Sequence, residues 1–248
     1  MPAWIIEAHL NAAGDALAAA ARTAGHAVHR WTEGDDAGLP APGAAAVFQG
    51  SLQGCVQFSG RWRPGVIGTP ETLACTAWLP TLGALALNQQ IIETTAGALC
   101  PESAPWPEVF ARPDSPLKPF AGRVLKREAL SPAAVDLGFY FDDPDLPVML
   151  SPAVPILAEW RFVAVDGQLV AHSGYTADGR SGITATAPAE ARAVAQQAAD
   201  RAPAPAVVID ICQTTDRFAV VEYNLFSGAD LYACDPAAVV HALSTLKA

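Results

Sequence analysis

The chain has 248 residues, 51% of them apolar and only 16% charged, which places it among globular proteins and excludes a disordered one. Its formal charge of −10 argues against a nucleic-acid backbone as partner, because phosphate contacts need clustered lysine and arginine. The sequence contains no run of about 18 apolar residues, so no membrane span is expected.

Five cysteines (Cys55, Cys75, Cys100, Cys212 and Cys234) show no metal-ligand spacing and are odd in number. Buried thiols in a reducing cytoplasm are therefore expected. Glu7 and His9 break the first apolar run, so no signal peptide is expected there. Lysine occurs only at positions 118, 126 and 247, which makes the internal lysines Lys118 and Lys126 worth following.

Trp4–Ala8 reads as a strand and Asn11–Ala24 as an alanine-rich helix closed by Gly25. His26–Trp31 and Ala44–Phe48 follow as strands, the opening of an α/β layer. Gly50-Ser51 comes after the third strand, where open sheets place ligand contacts, although a simple turn explains it equally well. Glu33–Gly43 and Arg61–Gly65 are loop and turn, and Thr69-Pro70-Glu71-Thr72 is expected to cap a helix through Cys75 and Trp78. Leu82–Gln90 is helical or irregular. The first lobe should end near Leu99, with Pro101–Pro107, three prolines in seven residues, as linker.

The second lobe opens on a strand at Glu108–Pro113, then a loop to Gly122 holding Lys118, then a strand at Arg123–Arg127. A helix is expected at Pro132–Leu137, and Met149–Pro155 reads as an extended, proline-broken connector. Ala158–Val165 and Gln168–His172 flank Asp166-Gly167, the strongest short hairpin signal, through a type I′ turn. That register sets Arg161 opposite His172, with Glu159 on the same face. Ser173-Gly174-Tyr175 reads equally as acceptor-pocket lining or as a strand end. Pro188–Ala202 is a helix, and Asp235-Pro236 starts another that runs to Leu246.

Between those helices lies the pair of strands with the most chemistry, Val207–Cys212 and Ala219–Phe226, joined by a turn at Thr214–Arg217. If the turn centres on Asp216, Asp210 faces Glu222 across an antiparallel ladder, with Asn224 on the same face. Directly opposed Cβ atoms are about 5 Å apart, and two carboxylates that close repel unless a cation compensates them. Taken alone, Glu222 would more simply point to solvent from an edge strand. Three oxygen donors on one face, each flanked by aliphatics, favour a hard divalent cation such as Mg²⁺.

The order of these parts resembles the ATP-grasp superfamily: an α/β domain, a lobe with basic residues, then an E-x-R hairpin (Glu159-Trp160-Arg161) and a D…E-x-N pair (Asp210, Glu222-Tyr223-Asn224). The closer similarity is to a compact ATP-grasp clade defined by one arginine and two lysines. It is carried by Phe48–Leu52, Trp62–Gly65, Leu87-Asn88 and Val109–Gly122, and continues through the Glu159 hairpin and Glu222–Tyr232. The resemblance implies an α/β (α+β) ATP-grasp fold, with a pre-grasp domain at 1–100 and the ATP-grasp domain at 101–248. Within the latter, a nucleotide-binding lobe would span about 108–150 and a metal-binding lobe about 156–248.

The resemblance also implies roles. Arg112 and Lys118 would contact ATP phosphates, and Gly122 would let backbone approach the nucleotide. Lys126 is the remaining internal candidate for the second lysine. Arg161, beside Glu159 in the cofactor site, would face the γ-phosphate or an acyl phosphate. Asp210, Glu222 and Asn224 would hold Mg²⁺. No long glycine-rich phosphate loop is present, only Ala121-Gly122, so a short lid is expected. The implied activity is an ATP- and Mg²⁺-dependent carboxylate–amine ligase, with Arg161 and Lys118 as catalytic residues. Its partners would be small-molecule or peptide carboxylates and amines, not nucleic acid or membrane, with a homodimer left open. The alternatives are a phosphotransferase on the same fold and a non-catalytic nucleotide-binding module serving a partner protein.

Overall fold

The computed structural model describes residues 1–136, 143–175 and 183–246. Its first sheet is parallel throughout, in the order β2-β1-β3-β4. The strands are β1 (Ala3–Glu7), β2 (Val28–Trp31), β3 (Ala45–Gln49) and β4 (Arg63–Gly65). Parallel neighbours need crossovers, and α1 (Ala12–Thr23) and α2 (Leu52–Gln57) supply them, N-capped by Asn11 and Ser51. The next helix, α3 (Cys75–Leu82), starts later than expected and has no side-chain cap. Thr69 and Thr72 instead bond each other's backbone N–H through their hydroxyls, closing a separate turn.

The middle sheet is antiparallel, in the order β5-β8-β6-β7. It comprises β5 (Ile92–Thr95), β6 (Glu108–Pro113), β7 (Arg123–Lys126) and β8 (Pro147–Pro152), with the short α4 (Pro132–Asp136) between the last two. The helix expected at 132–137 is present up to Asp136, and residue 137 lies outside the described residues. Two expectations are corrected here. The stretch read as a proline-broken connector overlaps β8, an interior strand, because Pro147 and Pro152 stand at its ends and leave every N–H between them able to pair. The Pro101–Pro107 linker lies within this sheet's own chain segment, because β5 precedes it.

The third sheet runs β10-β9-β11-β12: β9 (Ala158–Val165), β10 (Gln168–Tyr175), β11 (Ala206–Gln213) and β12 (Phe218–Leu225). The hairpin at Asp166-Gly167 has positive φ at both turn residues, as a type I′ turn requires. A bulge between Leu169 and Ala171 then slips the ladder by one residue, so His172 faces Phe162 and Arg161 faces Ser173. The expected Arg161–His172 pairing is thereby corrected: an inserted residue moves every later side chain by one place.

This sheet is covered on both faces, which explains the unbroken aliphatic run Val207-Val208-Ile209. One face packs with Trp4, Ile6 and Leu17 of the first layer and with Val239 and Leu243 of α6 (Pro236–Ser244). The other packs on Trp78 and Leu82 of α3 and on α5 (Ala189–Ala199). Tyr223 fastens α5 to the sheet, its hydroxyl donating to the Ala198 carbonyl at 2.7 Å and its ring edge-on to Trp78. Replacing Tyr223 with Phe removes one of the two hydrogen bonds to that carbonyl, the other coming from the Arg201 N–H, and is expected to lower stability by about 1 kcal/mol. Urea denaturation reads this directly, and an unchanged midpoint would refute it.

Candidate functional site

The apolar face that the third sheet turns to the first layer becomes polar at one end. There, β9 and β11 pair so that Arg161 lies directly opposite Asp210. Arg161 Nε and Nη2 donate to the two Asp210 carboxylate oxygens at 2.8 and 2.7 Å, and Nη1 donates to the Asp230 carbonyl at 2.7 Å. The guanidinium lies 4.8 Å from the Tyr232 ring centroid and 5.9 Å from that of Tyr175. Only 9% of the Arg161 side chain and 3% of that of Asp210 is exposed, so each charge depends on the other. Burial alone would lower the Arg161 pKa, but the Asp210 carboxylate more than compensates and raises it.

Across the other ladder Asp210 faces Glu222, as expected, though by a different local route. Beside the turn, Ile211 faces Val220, one place short of the register that a turn centred on Asp216 would set. A bulge at Val221 restores the alignment that pairs Asp210 with Glu222 and Val208 with Asn224. Asn224 Nδ2 donates to Asp210 Oδ2 at 3.0 Å.

Glu222 is where the middle sheet meets the third. Its carboxylate accepts from Arg112 Nη2 at 2.8 Å and from Lys118 Nζ at 2.7 Å. Burial pushes the Glu222 pKa up, but Lys118 and Arg112 outweigh it and hold the group far below the ordinary carboxylate range. Arg112 comes from β6, shares a face with Phe110 two residues before it, and lies over the Trp78 ring at 5.9 Å. Its Nε is buried and has no hydrogen-bond partner among the described residues. These groups border a cavity of about 320 Å³ whose walls include Phe110, Phe120, Ile156 and Glu159.

Glu159 belongs to the same cluster. Burial, then repulsion from Asp210, raises its pKa to about 7, against a hydrogen bond donated by the Tyr175 hydroxyl at 3.3 Å. The cavity is therefore lined by two cations, Arg112 and Lys118, by the ionised Glu222 and by a Glu159 carboxyl that is part protonated near neutral pH, with the Arg161–Asp210 pair beside Glu222.

The structure thus gathers Arg112, Lys118, Glu159, Arg161, Asp210, Glu222 and Asn224. Gly122 also borders the cavity, for a nearer reason than ligand approach: a Cβ there would lie 2.8 Å from the Phe110 ring. Lys126 pairs with Glu108 at the far end of β7, is exposed, and makes no contact with the cluster. Gly50-Ser51 is occupied from within, since the Ser51 N–H donates to Glu7 at 2.6 Å and the Gly50 N–H to the Ser227 carbonyl. Ser173 is buried and ties Ala233 to β10. Sequence reasoning missed Tyr232 and Trp78 as partners of the two arginines, because ring stacking across distant segments leaves no spacing signal. Phe110 could have been found, since it alternates with Arg112.

Among the described residues no group of three or more His, Cys, Asp or Glu is gathered to hold a metal. The expected set is smaller, two carboxylates and the Asn224 amide. All three are hard oxygen donors suited to Mg²⁺, and no hydrogen bond to the Asn224 amide oxygen occurs among the described residues. The donor set fits a cation that also takes oxygens from a phosphate. It requires the present cation partners of Asp210 and Glu222 to yield.

Residues 87–242, well over half of the chain, match the family model of the ATP-grasp domain, family 2 of the clade named for one arginine and two lysines, and the chain belongs to that family. The fold is that of ATP-grasp proteins. D-cycloserine synthetase DcsG superposes with a TM-score of 0.68 at 18% identity, covering 98% of both chains. A RimK domain ATP-grasp protein from Sphaerobacter thermophilus gives 0.65 at 16%, over 98% of this chain and all of that one. The ATP-grasp ligase PsnB, solved with a minimal precursor, Mg and ADP, gives 0.60 at 13%, over 98% and 97%. A comparison with curated proteins returned no match.

Asp210→Ala strands a buried guanidinium and is expected to cost about 3–5 kcal/mol of stability, measured by denaturant unfolding. A cost below about 1 kcal/mol would contradict the burial of the ion pair. Glu159 binds its proton more tightly in the folded chain (pKa about 7) than at its ordinary 4.5, so its contribution to stability is complete below about pH 4.5 and is lost as pH rises through 7. In EDTA, the thermal midpoint of Glu159→Gln should fall less than that of wild type over this window. Parallel curves would count against the shift.

Proposed function

We propose that this ATP-grasp chain is an ATP- and Mg²⁺-dependent carboxylate–amine ligase working through an acyl phosphate. The observation that carries the reading is Glu222, gripped by Arg112 and Lys118 directly beside the Arg161–Asp210 pair. A cluster with three cations offers charge-assisted bonds to phosphate oxygens, and planar guanidinium suits them well. Phosphoryl transfer needs chiefly such positioning and neutralisation. The solved neighbours, a D-cycloserine synthetase and an ATP-grasp ligase, favour ligation over simple phosphotransfer.

In this reading Arg112 and Lys118 leave Glu222 for the ATP phosphates, and the aromatic walls Phe110 and Phe120 shield the nucleotide from water. Arg161, held by the Asp230 carbonyl and stacked on Tyr232, keeps its orientation when Asp210 turns to the metal. Asp210, Glu222 and Asn224 would hold Mg²⁺, which neutralises charge on the phosphates when bound. The reactants are a carboxylate, an amine and ATP; the products are an amide, ADP and phosphate. The division into a pre-grasp domain and two clasping lobes, and the cytoplasm as compartment, belong to the same proposal. The second lysine remains assigned to Lys126, whose β7 position puts it on the same sheet face as Arg112.

Because both acids already hold cationic side chains, metal and nucleotide should depend on each other. ATP with Mg²⁺ should raise the thermal midpoint more than the sum of either alone, since ligands that bind only the folded state stabilise it by mass action. Additive shifts would contradict the exchange. Glu222→Gln is expected to remain folded yet lose nearly all ADP formation measured over carboxylate and amine pools, with the water-loss amide product sought by mass spectrometry. Wild-type turnover in that variant would remove Glu222 from the metal site.

A further inference from the structure

Among the described residues four other than glycine have positive φ: His9, Lys118, Asp166 and Tyr232. Histidine and aspartate are among the few side chains that tolerate this left-handed region, whereas a bulky residue there is an outlier. Lys118 and Tyr232 are not of the tolerant kind, and both touch the charged cluster, Lys118 at Glu222 and Tyr232 at Arg161. Tyr232, with φ of 48°, is the first of two central residues in a turn that the Cys234 N–H closes on the Leu231 carbonyl at 2.9 Å. Turns of that hand favour glycine, asparagine or aspartate. A glycine would relieve the crowding of Cβ against the backbone, so the tyrosine is held there at a cost in stability.

The turn is fixed from both sides. Asp230 Oδ1 accepts from the Tyr232 N–H at 2.9 Å, and the Asp230 carbonyl accepts from Arg161 Nη1 at 2.7 Å. On the far side the Ala233 N–H donates to Ser173 Oγ at 3.2 Å. These bonds tie the turn to β9 and β10 and leave its ring under Arg161, 4.8 Å from guanidinium carbon to centroid. Tyr175, the last residue of β10, meets the Tyr232 ring at 5.2 Å and stands 5.9 Å from the same guanidinium. The Tyr232 hydroxyl has no hydrogen bond among the described residues, so what the residue offers Arg161 is its ring.

Hydrogen bonds restrain a guanidinium within its own plane, and here two go to Asp210 and one to the Asp230 carbonyl. With Asp210 drawn to a cation a single such bond would remain, and the group could swivel about it. The ring beneath opposes that movement, because a desolvated cation is attracted to an aromatic face. We propose that Tyr232 is a positioning residue for Arg161, its strained backbone setting the ring so that the guanidinium keeps its orientation when Asp210 engages a cation. The part this plays in turnover rests on the ligase reading; the strain and the seating of the guanidinium do not.

Tyr232→Gly and Tyr232→Ala both lack the ring and differ in tolerance of positive φ. The glycine variant should unfold at the higher urea concentration, the reverse of the order at a position with ordinary φ. In ¹H–¹⁵N NMR of the full chain, the Arg161 Nε–H signal should move in Tyr232→Leu, which keeps apolar bulk without a ring, and should exchange faster with water. Tyr232→Phe should leave that signal as in wild type. With ATP, Mg²⁺ and pools of carboxylates and amines, kcat for ADP formation in Tyr232→Leu should lie about tenfold below that of Tyr232→Phe, the scale of one desolvated cation–ring contact. KM for ATP should stay within about twofold, because an orientation lost only in the transition state lowers kcat. An alanine variant at least as stable as the glycine one, an unmoved Arg161 signal in Tyr232→Leu, or equal kcat in the Leu and Phe variants would each overturn the proposal. A wild type that forms no ADP and gains no thermal stability from ATP and Mg²⁺ sinks the ligase reading instead, and the urea order and the Arg161 signal then decide the seating by themselves.

Discussion

A guanidinium and a carboxylate withdrawn from water must satisfy one another, and the buried pair of Arg161 and Asp210 imposes that condition on much of the molecule. Removing two ions from water costs several kcal/mol each after relaxation, so the pair persists only with good geometry and further partners. The register of β9 and β11 provides the bidentate contact. The third guanidinium nitrogen of Arg161, Nη1, finds the Asp230 carbonyl, which fixes the chain just after β12. That segment in turn holds the first layer: Gln49 donates to the Ala229 carbonyl, and Ile67 to the Ser227 hydroxyl. A charge requirement at one residue thus reaches the N-terminal sheet through a chain of hydrogen bonds.

The middle sheet is joined more loosely. It has its own core around Val109, Ala111, Val148 and Leu150. It meets the third sheet through Met149 of β8, which packs in the core shared with Phe162 and Ile209, and through the contacts of Glu222 with Arg112 and Lys118, while the Asp114 carboxylate accepts from Thr76 nearby on α3. The Lys118 side chain is 37% exposed, so its bond to Glu222 is screened and weak beside the Arg161 pair. The difference suits the proposed division of labour. Under that proposal the orienting Arg161 is the buried member of the cluster, and Lys118, which would change partners, is the exposed one.

Much of this is legible in the residues. Alternation puts Asp210, Glu222 and Asn224 on one face, and the residue pattern of Glu108–Pro113 marks a strand with the bounds it has. What escapes is set by long-range packing. Each bulge inserts a residue without altering composition, so it leaves no trace; one overturns the Arg161–His172 pairing, and the other preserves Asp210–Glu222 despite a displaced turn. Pro147 and Pro152 signal a break, and only the sheet shows that they bound a strand rather than interrupt one. Gly122 reads as room for a ligand, and its immediate neighbour is Phe110. Such contacts are decided by which side chain fills a space, and spacing in the chain does not encode that.

The overall charge of −10 at first sight opposes an anionic nucleotide. Charges beyond about 8 Å are largely screened at physiological ionic strength, however, so the local cluster decides affinity. In the cluster, Arg112, Lys118 and Arg161 outnumber Glu222 and Asp210, and a carboxyl raised to about 7 at Glu159 adds little opposing charge below neutrality. A divalent cation would tip the balance further by engaging those same acids and freeing the basic groups. The cross-strand carboxylates are then no obstacle to nucleotide binding. In the proposed function they would keep the cations in place until a metal and a polyphosphate arrive together, which a site built from one sign of charge could not do.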